Sequence, residues 1–161
     1  MGNMALKIGG KTYQIKYSVA ATLCEECVER VTDLMMRFES LDSNSGDVQE
    51  QLQQFFHSFS GIAPTTLSML YAGLMQYHGR RGDKTVMSRD DAEDLLIQYI
   101  EENKGNEDGN MYSLMQKLMN QMGEDDFFKQ IGLDQIGEKV TEAVSETQNK
   151  PKRGGKKSTT T

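Results

Sequence analysis

Tryptophan is absent from this chain, and proline and cysteine occur only twice each in 161 residues. Scarce proline leaves long helices possible. Two cysteines are too few for the disulfide framework of a small secreted domain. No segment approaches the ~20 apolar residues that a membrane span requires. Residues 1–20 hold no continuous apolar run of signal-peptide length, and Leu6 stands where a myristoylation start needs Ser or Thr. The expectation is a reduced, cytoplasmic, single-domain protein without a membrane partner. Acids are missing from one place: residues 149–161 carry Lys150, Lys152, Arg153, Lys156 and Lys157 and no Asp or Glu. With those five charges set aside from the net −6, the body stands at −11. Such a body repels phosphate backbones, so no nucleic acid is expected on the domain itself.

What is present is patterned mainly as helix. Leu6 to Tyr17 alternates apolar and polar residues around Gly9-Gly10, the pattern of a hairpin with a two-residue turn. A lone hairpin is marginal in water, so its apolar face needs a partner, and the next segment is the obvious one. From Val19 to about Glu39, Ala20, Leu23, Cys24, Cys27, Val31, Leu34, Met35 and Phe38 form one stripe of a long helix. Ser40 to Gly46 reads as a loop. Asp47 with Glu50 caps a second helix bearing Val48, Leu52, Phe55, Phe56 and Phe59, which Gly61 and Pro64 end. Thr65 starts a third with Leu67, Leu70, Tyr71, Leu74 and Tyr77. Gly79 to Asp83 is a charged turn, and Ser88 with Asp91 caps a fourth helix with Ala92, Leu95, Leu96, Tyr99 and Ile100 inward. After a polar linker (103–110), helical spacing returns, and Leu133, Ile136, Val140 and Val144 mark a final, weaker helix. The fold expected is mainly α, with an N-terminal β-hairpin packed on a multi-helix domain (1–147) and a disordered basic tail (148–161).

Catalytic chemistry is not assembled by any motif. Cys24 and Cys27 form a CxxC, but zinc needs about four ligands and no further Cys exists. Glu25 and Glu26 also oppose an activated thiolate. Both cysteines read as small hydrophobes. His57 and His78 have no nucleophile–acid set beside them, and the hairpin glycines lack P-loop spacing. Asp90-Asp91 and Glu124-Asp125-Asp126 read as helix-start acids complementing the dipole. No cofactor or metal is expected. The methionine-rich segment has two readings. Leu114, Met115, Leu118, Met119 and Met122, with Phe127 and Phe128, form either a core face or an adaptable apolar surface for a partner. The basic tail is either a solubilising terminus or a weak, salt-sensitive contact for nucleic acid or an acidic partner.

Three stretches carry a resemblance: GGKTYQIKYSVAATL (Gly9 to Leu23), LSMLYAGLMQ (Leu67 to Gln76) and the acidic helix from Ser88 to Glu102. Together they resemble the tail assembly chaperones of long-tailed bacteriophages and prophages of Gram-positive bacteria, over residues 5 to 140. The resemblance implies a non-catalytic protein of the host cytoplasm, absent from the finished virion. Its partner would be the tape measure protein, a long apolar helical chain kept soluble until the tail tube polymerises round it. Tail tube subunits are a second implied partner. A frameshifted longer form is also implied, and Gly154-Gly155-Lys156-Lys157 is compatible with a purine-rich slippery run. Self-association through the hairpin's apolar face remains open. The alternative from another class is a small adaptor or regulator acting through the basic tail.

Overall fold

In the computed structural model, β1 (Met4–Ile8) and β2 (Lys11–Ile15) pair antiparallel with Ile8 opposite Lys11 and Met4 opposite Ile15. Gly9 and Gly10 turn between them at φ +59° and +78°, the left-handed pair that a two-residue hairpin loop demands. The structure describes residues 3–42, 48–132 and 135; for 37–42 and 48–59 it describes the helical backbone alone. The expected final helix, the cap at Asp47, the part of the Ser40-to-Gly46 loop beyond residue 42 and the basic tail lie outside these residues, while 40–42, expected in that loop, are helical instead. The described elements continue with α1 (Val19–Thr22), α2 (Glu25–Asp42), α3 (Val48–His78), α4 (Arg89–Glu102), α5 (Met111–Glu124) and α6 (Phe127–Ile131). The protein is thus mainly helical with an N-terminal hairpin packed on helices.

Three expectations need correction. First, the helix expected from Val19 is broken. Leu23 and Cys24 bond back three residues, to Ala20 and Ala21, and α2 starts afresh with Glu25 and Glu26 in its first turn, where the helix dipole favours acids. The break rotates Ala21 into the core and leaves Leu23 79 % exposed. Second, Gly61 and Pro64 end nothing: α3 runs through both. Gly61 does not take the left-handed conformation of a glycine cap. An interior proline costs ~3 kcal/mol, and the packing that begins at Ile62 and includes Leu67, Met69, Leu70 and Leu74 offsets it. Third, the hairpin packs chiefly on α3 and α4, not on the first long helix.

Gly73 explains the third correction. A Cβ built there would lie 2.7 Å from Ile15 Cγ2 and 3.1 Å from Tyr17 Cζ. Only a bare backbone lets the hairpin close on α3, and there Gly73 O accepts the Lys16 N–H at 2.9 Å. Glycine inside a helix normally costs ~1 kcal/mol against alanine. Here the sign reverses: Gly73→Ala is expected to destabilise by about 1–3 kcal/mol through overpacking. A urea midpoint at or above wild type would contradict this.

Carboxylates fasten the ribbon at its two ends. Both Glu102 oxygens accept the Gly9 N–H, at 3.0 and 3.1 Å, and Gln98 Nε2 donates to Oε1 at 2.8 Å. The Gly9 and Gln98 donors hold Glu102 below its ordinary pKa. At the other end Asp125 accepts the Tyr17 N–H (2.8 Å), Lys16 Nζ (3.0 Å) and Gln121 Nε2 (3.0 Å). Asp125 is the C-cap of α5, not a helix-start acid. Ser88 and Asp91 form the expected capping box on α4, each side chain meeting the other's backbone N–H.

The two edges of the ribbon differ. Gln14 sends its N–H to His78 Nε2 and Lys16 to Gly73 O, so the edge of β2 is bonded to α3. Gln14 points outward, so its cross-strand partner Ala5, and Lys7 two residues on, turn their peptide groups away from β2 as well. They face an open groove bordered by Tyr99, Asn103, Lys117, Gln121 and Glu124.

Candidate partner-binding groove

The loop after α3 is built by local polar bonding. Gly82 N–H donates to Gly79 O (3.0 Å), Asp83 N–H to Tyr77 O (2.9 Å) and Val86 N–H to His78 O (2.8 Å). A Cβ at Gly82 would sit 2.1 Å from Tyr77 O, and Lys84 turns the chain with φ +61°. Asp83 Oδ1 accepts the Thr85 hydroxyl (2.6 Å) and N–H (3.0 Å), while Oδ2 accepts the proton on His78 Nδ1 (2.9 Å) and faces Lys11 Nζ (3.5 Å). The Thr85 donors, with help from His78, hold the Asp83 carboxyl far below the usual carboxylate range.

His78 is therefore structural. It is buried, donates from Nδ1 to Asp83, accepts at Nε2 from Gln14 and lies 5.1 Å from the Tyr13 ring centroid. Both ring nitrogens of the neutral tautomer are used, which leaves no lone pair for a substrate. The two cysteines are free, with Cys27 buried and Cys24 half-buried. Burial pushes the Cys27 thiol up to about 12 and raises Cys24 as well, the opposite of an activated thiolate. Among the described residues no three His, Cys, Asp or Glu side chains converge on a metal position, and no helix is long and apolar enough to cross a membrane.

Five of the seven residues expected to receive a partner are buried. Leu114, Met115, Leu118, Met122 and Phe127 are at most 1 % exposed and join the central core. Met119 and Phe128 are half-buried against it. For those five the core reading holds and the surface reading is corrected: they belong to the core in which α5 lies on α3. Asn110 caps the helix by accepting the Ser113 N–H at 2.9 Å.

Among the described residues, an accessible apolar cleft lies between α1 and the end of α3. Ala20, Leu23, Tyr71, Met75, Val86 and Met87 line a cleft of about 350 Å³. Leu23 is 79 % exposed and Met87 51 %. Arg80 and Arg81 stand on its rim. Val86, 2 % exposed, plugs the loop into the body beneath. Helical periodicity misplaced Leu23 because it assumed an unbroken helix, and Met87 escaped notice because it lies outside any periodic segment. The usable signal was Glu25-Glu26, a helix start hidden inside the stripe. No protein-family model, curated protein or solved structure matches the chain.

Proposed function

We propose that this protein is a non-catalytic chaperone for an apolar helical client, of the tail-assembly kind, and that the client is a tape measure protein. The observation that carries the reading is the cleft beside Leu23. Aliphatic and thioether side chains lie open to solvent there on a preformed, loop-buttressed surface, rimmed by charge. Exposed apolar patches of this kind mark interaction sites. Methionine suits varied apolar partners because its side chain adapts. Helix-in-groove recognition needs anchors and no reacting group. The acidic body supports the same role, since like-charge repulsion keeps loaded complexes apart.

The test is co-expression with a long apolar helical protein of the tape measure kind. The client is expected to stay soluble only when this chain is present. Leu23→Asp removes an anchor worth ~1.5–3 kcal/mol when buried in a complex, so affinity should drop about tenfold or more. The variant's own unfolding midpoint should move little, because Leu23 is a surface residue here. Soluble client without the chaperone, or undiminished rescue by Leu23→Asp, would reject the assignment.

A further inference from the structure

We infer that the groove selects its client by charge as well as by grease: it takes an amphipathic helix whose apolar face is flanked by Asp or Glu, and Arg80 and Arg81 are the selecting residues. The inference rests on the groove being the client site. It starts from an imbalance. The chain carries −6 overall, yet the rim of its apolar cleft is cationic. The carboxylates in the neighbouring ion pairs are already engaged. Glu26 is paired with Arg30 at 3.0 Å and Arg89 at 3.2 Å, and Asp83 is taken by Thr85, His78 and Lys11. Among the described residues, Arg80 and Arg81 have no hydrogen-bonding or ion-pair partner, and both are exposed.

The loop backbone that carries them is held, which matters for selectivity. The loop is closed by the Gly82, Asp83 and Val86 backbone bonds and by the Asp83–Thr85–His78 cluster. A guanidinium on such a loop offers a planar fork of donors suited to a carboxylate. An apolar helix seated on Leu23, Met75 and Met87 would place its flanking residues along this rim. A carboxylate there gains a partner, and a lysine there meets two like charges, so the rim attracts one class of client and repels the other.

Two synthetic amphipathic helices test this, with the same Leu- and Met-bearing apolar face and either Glu or Lys flanks. Binding to the full chain is read by fluorescence anisotropy at low salt. Net charge alone predicts that an acidic protein prefers the Lys peptide. A preference for the Glu peptide therefore reports the local site, and about threefold to tenfold is expected, shrinking as salt is raised. Arg80→Glu with Arg81→Glu should reverse the order. Lys104→Glu with Lys129→Glu, an equal charge change elsewhere, should leave it. Thermal melts of each variant establish that it is folded, and Arg80→Gln with Arg81→Gln, a milder change, should abolish the preference. Equal or stronger binding of the Lys peptide by wild type overturns the selectivity, while the groove stands if Leu23→Asp weakens both peptides. Binding of neither peptide overturns the groove and the selectivity together.

Discussion

Tyr17→Ala should cost about 3–5 kcal/mol, the range for truncating a buried aromatic and leaving a cavity. Tyr17 is wholly buried. Its ring meets Phe127 edge-on at 5.7 Å between centroids, and its hydroxyl donates to Met69 O at 2.8 Å. Its N–H is held by Asp125, and its carbonyl takes a longer bond from Gln130 at 3.4 Å. One residue thus ties the hairpin's exit to α3, to the end of α5 and to α6. Tyr17→Phe keeps the ring and loses the hydroxyl bond, so about 1 kcal/mol is expected. Denaturant titration of both variants separates the two contributions. Equal losses would mean that the hydroxyl, not the ring, dominates.

Asp125→Ala should cost about 3 kcal/mol. The carboxyl is 6 % exposed and receives three donors, and its removal strands the Tyr17 N–H and the Lys16 ammonium. Burial alone would raise the Asp125 pKa, but the Tyr17 N–H, Gln121 and Lys16 together outweigh burial and leave it lowered. A carboxyl depressed in the fold binds its proton more readily when the chain is unfolded. Its stabilisation is complete above the unfolded value of ~4 and fades as pH falls through the native one. Asp83, Asp91 and Glu102 are lowered too, so acid unfolding should set in below pH ~4. The Asp125→Ala profile should be flatter there. The alkaline limit has the opposite origin. Burial raises Tyr17 and holds Cys27 at about 12, so above pH ~9 the unfolded chain loses protons that the fold retains, and stability declines. Midpoints measured from pH 3 to 10 check both arms.

The elements that obey one periodicity were readable from the residues. The hairpin followed from alternation and the glycine pair, and α4 from Ser88, Asp91 and its inward face. The inaccessible parts are those in which tertiary contact overrules a local signal. Pro64 is a helix stop by backbone chemistry, yet α3 passes through it because the chain from Ile62 onward is packed into the core. Gly73 looks like a weak point in LYAGLMQ and is in fact the seat of the hairpin. The groove was missed for a related reason. Periodicity finds apolar faces but does not say which of two faces will be covered. The stripe on α5 was the stronger pattern and became core, whereas Leu23 and Met87 were left outside by a helix break and a loop. Asp125 carried no motif for its role, since that depends on a residue 108 positions earlier in the chain.

The ribbon's unequal borders give it a direction. One border is stitched to α3 through Gln14 and Lys16, so nothing can be appended there without first prising the hairpin away. The other, at Ala5 and Lys7, is where an added extended segment would find amide and carbonyl groups waiting. Any lengthening of this sheet is therefore one-sided, and the charged Lys7 stands guard at the open side.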